Sequence, residues 1–157
     1  MSARPPVLAH WSGWLATGFG VGLSPHVPGT VGSVAALLPW FALRELPLFG
    51  YLLVVLLVFG LGTWAAGQVI ARIGREDPGM VVIDEFVGLW IALILLPDGW
   101  LWLLAGLLVF RVFDILKPWP VSWADRRLKG GFGAMADDVL AGLYALLVLQ
   151  IAAALLA

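Results

Sequence analysis

The sequence predicts an all-α integral membrane protein, a polytopic bundle of about four to five membrane helices. Three observations predict it. Of 157 residues, 62% are hydrophobic and only 12% are charged, where soluble domains average about half apolar and about a quarter charged. Mean hydropathy is +1.00. The apolar residues also gather into runs long enough for a bilayer, with short polar turns between them. The whole chain, 1–157, reads as one membrane-embedded domain without internal repeats. No cleavable leader is predicted, because the first long uninterrupted apolar run lies well inside the chain.

The elements follow in order. Residues 1–10 read as a short flexible lead. Trp11–Leu23 is apolar but broken by glycines, and stays open between a span, a re-entrant segment and an interfacial one, with Trp11 and Trp14 at headgroup level. A Gly/Pro-rich loop follows at 24–33, "SPHVPGTVGS". Val31–Leu46 reads as a helix kinked at Pro39. Leu48–Ile73 is the clearest span, with Gly60, Gly62 and Gly67 as a close-packing face. Met80–Pro97 and Trp100–Lys117 are each about 27 Å long as helices, joined by the tight "PDG" turn in which Asp98 is solvated. The polar connection 118–134 suits a short interfacial helix in its middle, whereas its Gly-rich end reads as non-helical. Met135–Ala157 closes the set.

Charge orients these segments. Arg72 and Arg75 lie in one connection, and Lys117, Arg126, Arg127 and Lys129 in another, while the 97–100 turn has no cation. The positive-inside rule places both basic connections in the cytoplasm, together with the 24–33 loop. A net charge of −1 argues against a nucleic-acid partner and leaves membrane lipids as the surroundings. Nothing in the pattern specifies an oligomeric state. The absence of cysteine excludes disulfides, thiolate metal sites and thiol nucleophiles, and His10 and His26 are too few for multi-imidazole chemistry.

Chemistry must then rest on carboxylates, hydroxyls, Arg and Lys. A charged side chain within a membrane helix costs about 2.5–3.5 kcal/mol on insertion scales, so each is a functional candidate. "VVIDEFVG" carries Asp84 and Glu85, "FRVFDILKP" carries Asp114, and "MADDVLAG" carries Asp137 and Asp138. All converge at one depth near the cytoplasmic surface. Gly88 and Gly142 each follow an aspartate by one helical turn and leave room for a helix or a ligand. Arg111 and Lys117 flank Asp114 on a broad face, either neutralising it or binding an anion. Five carboxylates against two helical cations leave excess negative charge, which a divalent cation with oxygen ligands, Mg²⁺ or Mn²⁺, would balance. In the 24–33 loop, Thr30 and Ser33 offer hydroxyls, and Gly29 and Gly32 permit close backbone approach. That composition fits a phosphate cradle at a helix N-terminus, or equally a turn with an N-cap. His26 reads as a turn residue.

"GFGVGLSPHVPGTVGS", "DPGMVVIDEFVGLWIAL", "FRVFDILKPWPVSWADR" and "GGFGAMADDVLAG" closely resemble the phosphatidylglycerophosphatase A family of bacterial inner-membrane enzymes, in order from about residue 18 to residue 142. The resemblance implies Mg²⁺-dependent hydrolysis of phosphatidylglycerophosphate, an anionic phospholipid, to phosphatidylglycerol and inorganic phosphate. It also implies that Asp84, Glu85, Asp114, Asp137 and Asp138 belong to the active site, which faces the cytoplasm. Joined with the residue reading, it assigns Mg²⁺ to Asp84, Glu85 and Asp138, with Asp137 as a ligand or a support behind them. Asp114 becomes the candidate for water orientation or general base, with Arg111 and Lys117 stabilising the transferring phosphoryl group. Attack by water or by an aspartate both fit. Arg126, Arg127 and Lys129 either draw in the head group or serve as ordinary positive-inside residues.

The rival from another class is an ion- or proton-coupled transporter using the intramembrane carboxylates. Carboxylates near one face and the lack of an inverted repeat weigh against it. A CDP-alcohol phosphotransferase would need a longer aspartate signature, and a histidine-nucleophile lipid phosphatase would need histidines that this chain lacks.

Overall fold

A computed structural model describes residues 6–156. Every regular element among them is helical: α1 (Trp11–Ala16), α2 (Pro28–Leu43), α3 (Leu48–Ile73), α4 (Ile83–Ala92), α5 (Trp100–Leu116), α6 (Val121–Arg127) and α7 (Gly130–Leu156). Short 3₁₀ turns occupy Pro6–Ala9 and Val21–Leu23. Residues 1–5 of the expected flexible lead lie outside the described residues. The rest of that lead is structured, since the Trp14 indole donates to the Leu8 carbonyl at 3.0 Å.

Helix α4 is the axis of the fold. All of its residues from Ile83 to Ala92 are buried, and four other helices enclose it. Against α7 the backbones nearly touch: a Cβ on Gly142 would overlap the Gly88 carbonyl oxygen. Against α5, Phe110 fills the space beside Gly88. Against α2, Gly32 rests on Val82, and the Trp90 indole donates to the Ala36 carbonyl at 2.9 Å. Against α3, Gly62 meets Ile83 and Met135, and the Tyr51 hydroxyl donates to the Trp90 carbonyl at 2.6 Å. Of the predicted α3 glycine face, Gly62 and Gly67 pack closely, while Gly60 has open space around it.

Helices α3 and α7 are long and apolar enough to cross a membrane, with 26 and 27 residues. Their outer faces expose Leu53, Leu56, Leu57, Leu143, Leu147 and Ile151, and α5 adds Leu104, Leu108 and Val112. Exposed apolar surface marks a membrane or protein contact, and together with the two long apolar helices it suggests a membrane protein.

Three expectations need correction. The predicted Met80–Pro97 helix is only 10 residues long, about 15 Å, too short to cross alone. Pro97 disfavours helical backbone at the residue before it, and Leu95 has a left-handed φ of 52°. The carbonyls freed at Ile94 and Leu95 accept from the Gln150 amide at 2.9 and 3.2 Å. Second, α2 begins at Pro28 rather than Val31, with proline in the first turn, where its missing N–H costs nothing. Much of the 24–33 loop is therefore helix. Third, the Gly-rich end of the 118–134 connection opens α7. A Cβ on Gly131 would overlap the Thr63 carbonyl of α3, so tight packing overrides the low helix propensity of glycine. The middle of that connection forms the short helix α6, as expected.

Candidate active site

The first turn of α4 carries Asp84 and Glu85, α5 ends with Asp114 and Lys117, and α7 contributes Asp137 and Asp138. These side chains line one cavity of about 190 Å³, closed on one side by Pro28 and Gly29 at the start of α2. The close α4–α7 crossing explains the convergence. Gly88 and Gly142 each stand one turn beyond an aspartate, so the contact that joins the helices brings Asp84 to Asp138.

The carboxylates divide by what holds them. One oxygen each from Asp84, Glu85 and Asp138 lie within 4.8 Å of one another, and all three residues are buried. Asp84 Oδ1 accepts from the Glu85 backbone N–H at 3.0 Å, while Glu85 Oε2 is buried without a hydrogen-bond partner among the described residues. Asp114 and Asp137 are instead locked by cations. Arg111 pairs with Asp114 and stands 3.8 Å from Glu85 Oε1. Lys117 Nζ donates to Asp137 Oδ2 at 2.5 Å and to Asp125 Oδ1 at 2.6 Å. Burial by itself would lower the pKa of Lys117, but the bonds to Asp125 and Asp137 outweigh it and raise it above the ordinary lysine value.

A compact set of buried oxygens, one of them unpartnered, is the donor chemistry that suits a hard divalent cation. Burying three carboxylates together is otherwise costly. The N-terminus of α4 offsets part of this cost, since Asp84 and Glu85 sit where the helix dipole favours negative charge.

Of the phosphate-loop candidates, only Gly29 reaches the cavity. A Cβ there would collide with Glu85 Oε1 and lie 3.3 Å from both Arg111 amino nitrogens. Gly32 packs on Val82, Ser33 is buried with its hydroxyl donating to the Gly29 carbonyl at 3.0 Å, and Thr30 is exposed. The structure does not bring these three to the carboxylates. Lys117 caps α5 in left-handed backbone, with φ of 45°, and turns from Asp114 toward α6 and α7. Asp98, expected to be solvated, is exposed and pairs with Arg44 at the other end of the molecule.

Residues absent from the sequence reading also belong here. Asp77 and Gly79 line the cavity, and Asp125 holds Lys117. The "DPG" turn just before the acidic helix signals the first pair. Asp125 has no such signal, because the chain reverses between it and Lys117 and no helical spacing links them.

The sequence model of the family described as Phosphatidylglycerophosphatase A matches residues 14–153. The chain belongs to the phosphatidylglycerophosphatase A family. Its membership makes it a phosphatase acting on a phosphate monoester, and with the two apolar helices it suggests a membrane protein. It is 48% identical over 129 residues to Phosphatidylglycerophosphatase A of Escherichia coli, covering 82% of this chain and 75% of the relative. It is 45% identical to the protein of the same name from Haemophilus influenzae, over 85% of this chain and 83% of the relative. A Bacteroides thetaiotaomicron protein named "Putative phosphatidylinositol-3-phosphatase" is 45% identical over 88% of this chain and 91% of its own length. No solved structure matches the chain at a significant level.

Proposed function

We propose that this family member removes the terminal phosphate of phosphatidylglycerophosphate, releasing phosphatidylglycerol and inorganic phosphate, with Mg²⁺ as cofactor. The observation that carries the reading is the buried trio of Asp84, Glu85 and Asp138, with oxygens within 4.8 Å of one another and Glu85 Oε2 unpartnered. These residues would hold the ion, which when bound supplies electrophilic polarisation of a phosphate oxygen.

The chain's own groups account for the rest. Asp114, oriented by Arg111, is placed to position a water and accept its proton. The Arg111 guanidinium, beside Glu85, supplies positive charge for the transferring phosphoryl group, and the Lys117 ammonium at the cavity wall binds the phosphate. Asp137 acts from behind, fixing Lys117. The apolar outer faces support a multi-pass chain in a bacterial inner membrane, with α2 and α5 crossing beside α3 and α7 and the buried α4 inside them. Arg75, Arg126, Arg127 and Lys129 lie at the cavity end, which supports a site open to the cytoplasm.

The deciding assay uses purified protein in lipid nanodiscs, with phosphatidylglycerophosphate and phosphatidylinositol 3-phosphate in parallel, and reads released phosphate. Release from the first, abolished by EDTA and restored by Mg²⁺, is the expected result. Preference for the second lipid would transfer the function to the head group named for the Bacteroides relative. Full activity in chelator would remove the metal. Ion flux without phosphate release would instead favour a transporter, which family membership already disfavours.

A further inference from the structure

Asp125 lies outside the cavity formed by the trio, on the short helix α6, yet its carboxylate reaches Lys117 Nζ at 2.6 Å. The same ammonium bonds Asp137 of α7 at 2.5 Å. A lysine ammonium carries three N–H donors in fixed tetrahedral relation. With two of them engaged by carboxylates on different helices, the direction of the third is set.

The arrangement holds because α6 is anchored. Val121 and Ala124 are fully buried, and the Tyr144 hydroxyl of α7 donates to the Trp119 carbonyl at 2.8 Å, just before α6. Asp125 therefore keeps a constant relation to Asp137. Lys117 alone could not supply that constancy. Its four-carbon stem is flexible, and with Asp137 as sole partner the ammonium would be drawn toward the buried carboxylates.

We infer that Asp125 is a positioning residue for the phosphatase reaction, sharing the Lys117 ammonium with Asp137 so that one N–H remains for the incoming phosphate. The inference rests on the phosphatase reading above. It assigns α6 a part in the chemistry beyond lying at the membrane surface, and it explains why an exposed carboxylate stands opposite a lysine at the mouth of an acidic cavity. Lys117 is asked to bind phosphate in ground and transition states alike, so its misplacement falls chiefly on KM.

The test is steady-state kinetics on the full chain in nanodiscs for Asp125→Asn, Asp125→Glu, Lys117→Met and the Asp125→Asn/Lys117→Met double variant. Inorganic phosphate serves as the competing ligand. Asp125→Asn should lower kcat/KM about 10-fold, mostly through KM, and weaken phosphate inhibition by a similar factor. Asp125→Glu should restore much of the loss, which a purely structural role in docking α6 would not produce. Lys117→Met should cost at least as much, and the double variant no more than Lys117→Met alone. Additive losses in the double variant would overturn the inference. So would an Asp125→Asn enzyme with unchanged KM and phosphate inhibition, or one whose loss tracks a lowered Tm without rescue by glutamate. A wild-type enzyme inactive on every lipid phosphate would overturn the phosphatase reading itself, a result distinct from these.

Discussion

Asp138→Asn should make the metal-free protein more stable while removing its activity. The three cavity carboxylates place oxygens within 4.8 Å of one another, where each fully ionised pair repels by about 3.5 kcal/mol at an effective dielectric constant of about 20. Asp138→Asn removes two such pairs at almost no change in volume. Arg111, 3.8 Å from Glu85, and water in the cavity offset much of that repulsion. The expected gain is about 1–3 kcal/mol, within the range seen when buried charge is replaced. At about 2–4 °C per kcal/mol for a chain of this size, Tm in EDTA should rise by about 5 °C. Mg²⁺ should reverse the order. At about 100 times its Kd, an ion bound only by the folded wild type contributes about 2.7 kcal/mol, and the variant should gain little of this. Thermal unfolding in nanodiscs, with EDTA and with Mg²⁺, reads both effects. A lower Tm for Asp138→Asn in EDTA, or equal Mg²⁺ stabilisation of both proteins, would refute the shared-cation account of the trio.

Other perturbations separate the site from its scaffold. Gly142→Ala would place a Cβ onto the Gly88 carbonyl, so it should cost about 1–3 kcal/mol of stability and lower phosphate release by pulling Asp138 from Asp84. Gly60→Ala, in open space, is the control and should gain up to about 1 kcal/mol by unfolding measurements. Gly29→Ala should nearly abolish turnover through its collision with Glu85, whereas Thr30→Val, on an exposed side chain, should stay within about twofold of wild type. Comparable losses at both positions would restore the hydroxyl cradle. For orientation, the absence of native cysteine permits single labels: Ser122→Cys should resist an impermeant maleimide in intact spheroplasts, and Asp98→Cys should react. External labelling of Ser122→Cys in active protein would invert the topology.

The long helices and the acidic cluster were legible because each rests on a local signal. Leu48–Ile73 is found with the predicted boundaries, since an apolar run of that length has few alternatives in or out of lipid. Asp84, Glu85, Asp114, Asp137 and Asp138 could be grouped because charge within apolar helices stands out. What failed was set by packing at a distance. The last residues of the predicted Met80–Pro97 helix were as apolar as the rest, and only their neighbours and Pro97 end the helix at Ala92. Gly131 reads as a breaker, yet its close packing on Thr63 and Gly67 of α3 holds it in helix. The hydroxyls of the 24–33 loop had the right composition for a cradle. Starting the helix at Pro28 turned Ser33 back onto the Gly29 carbonyl and left Thr30 outside.

The shortness of α4 then connects fold to function. A helix crossing the whole bilayer would put its N-terminus at the surface, where carboxylates are easily hydrated and bind a cation weakly. Here the 10-residue α4 is buried throughout, so its N-terminus, with Asp84 and Glu85, lies inside the protein. Non-helical backbone at either end is tolerated there only where other protein groups or a polar cavity satisfy it. At the C-terminal side, Gln150 bonds the Ile94 and Leu95 carbonyls. At the N-terminal side, the Val82 N–H donates to the Ala16 carbonyl at 2.9 Å, and Asp84 accepts from Glu85. Helices α3, α5 and α7 meanwhile present the apolar surface. The division frees α4 from forming the outer surface, so its sequence can carry two adjacent carboxylates and a glycine one turn on. A charged residue placed instead on the outer face of α3, such as Leu57→Asp, has no partner or cavity to meet it and would impair insertion.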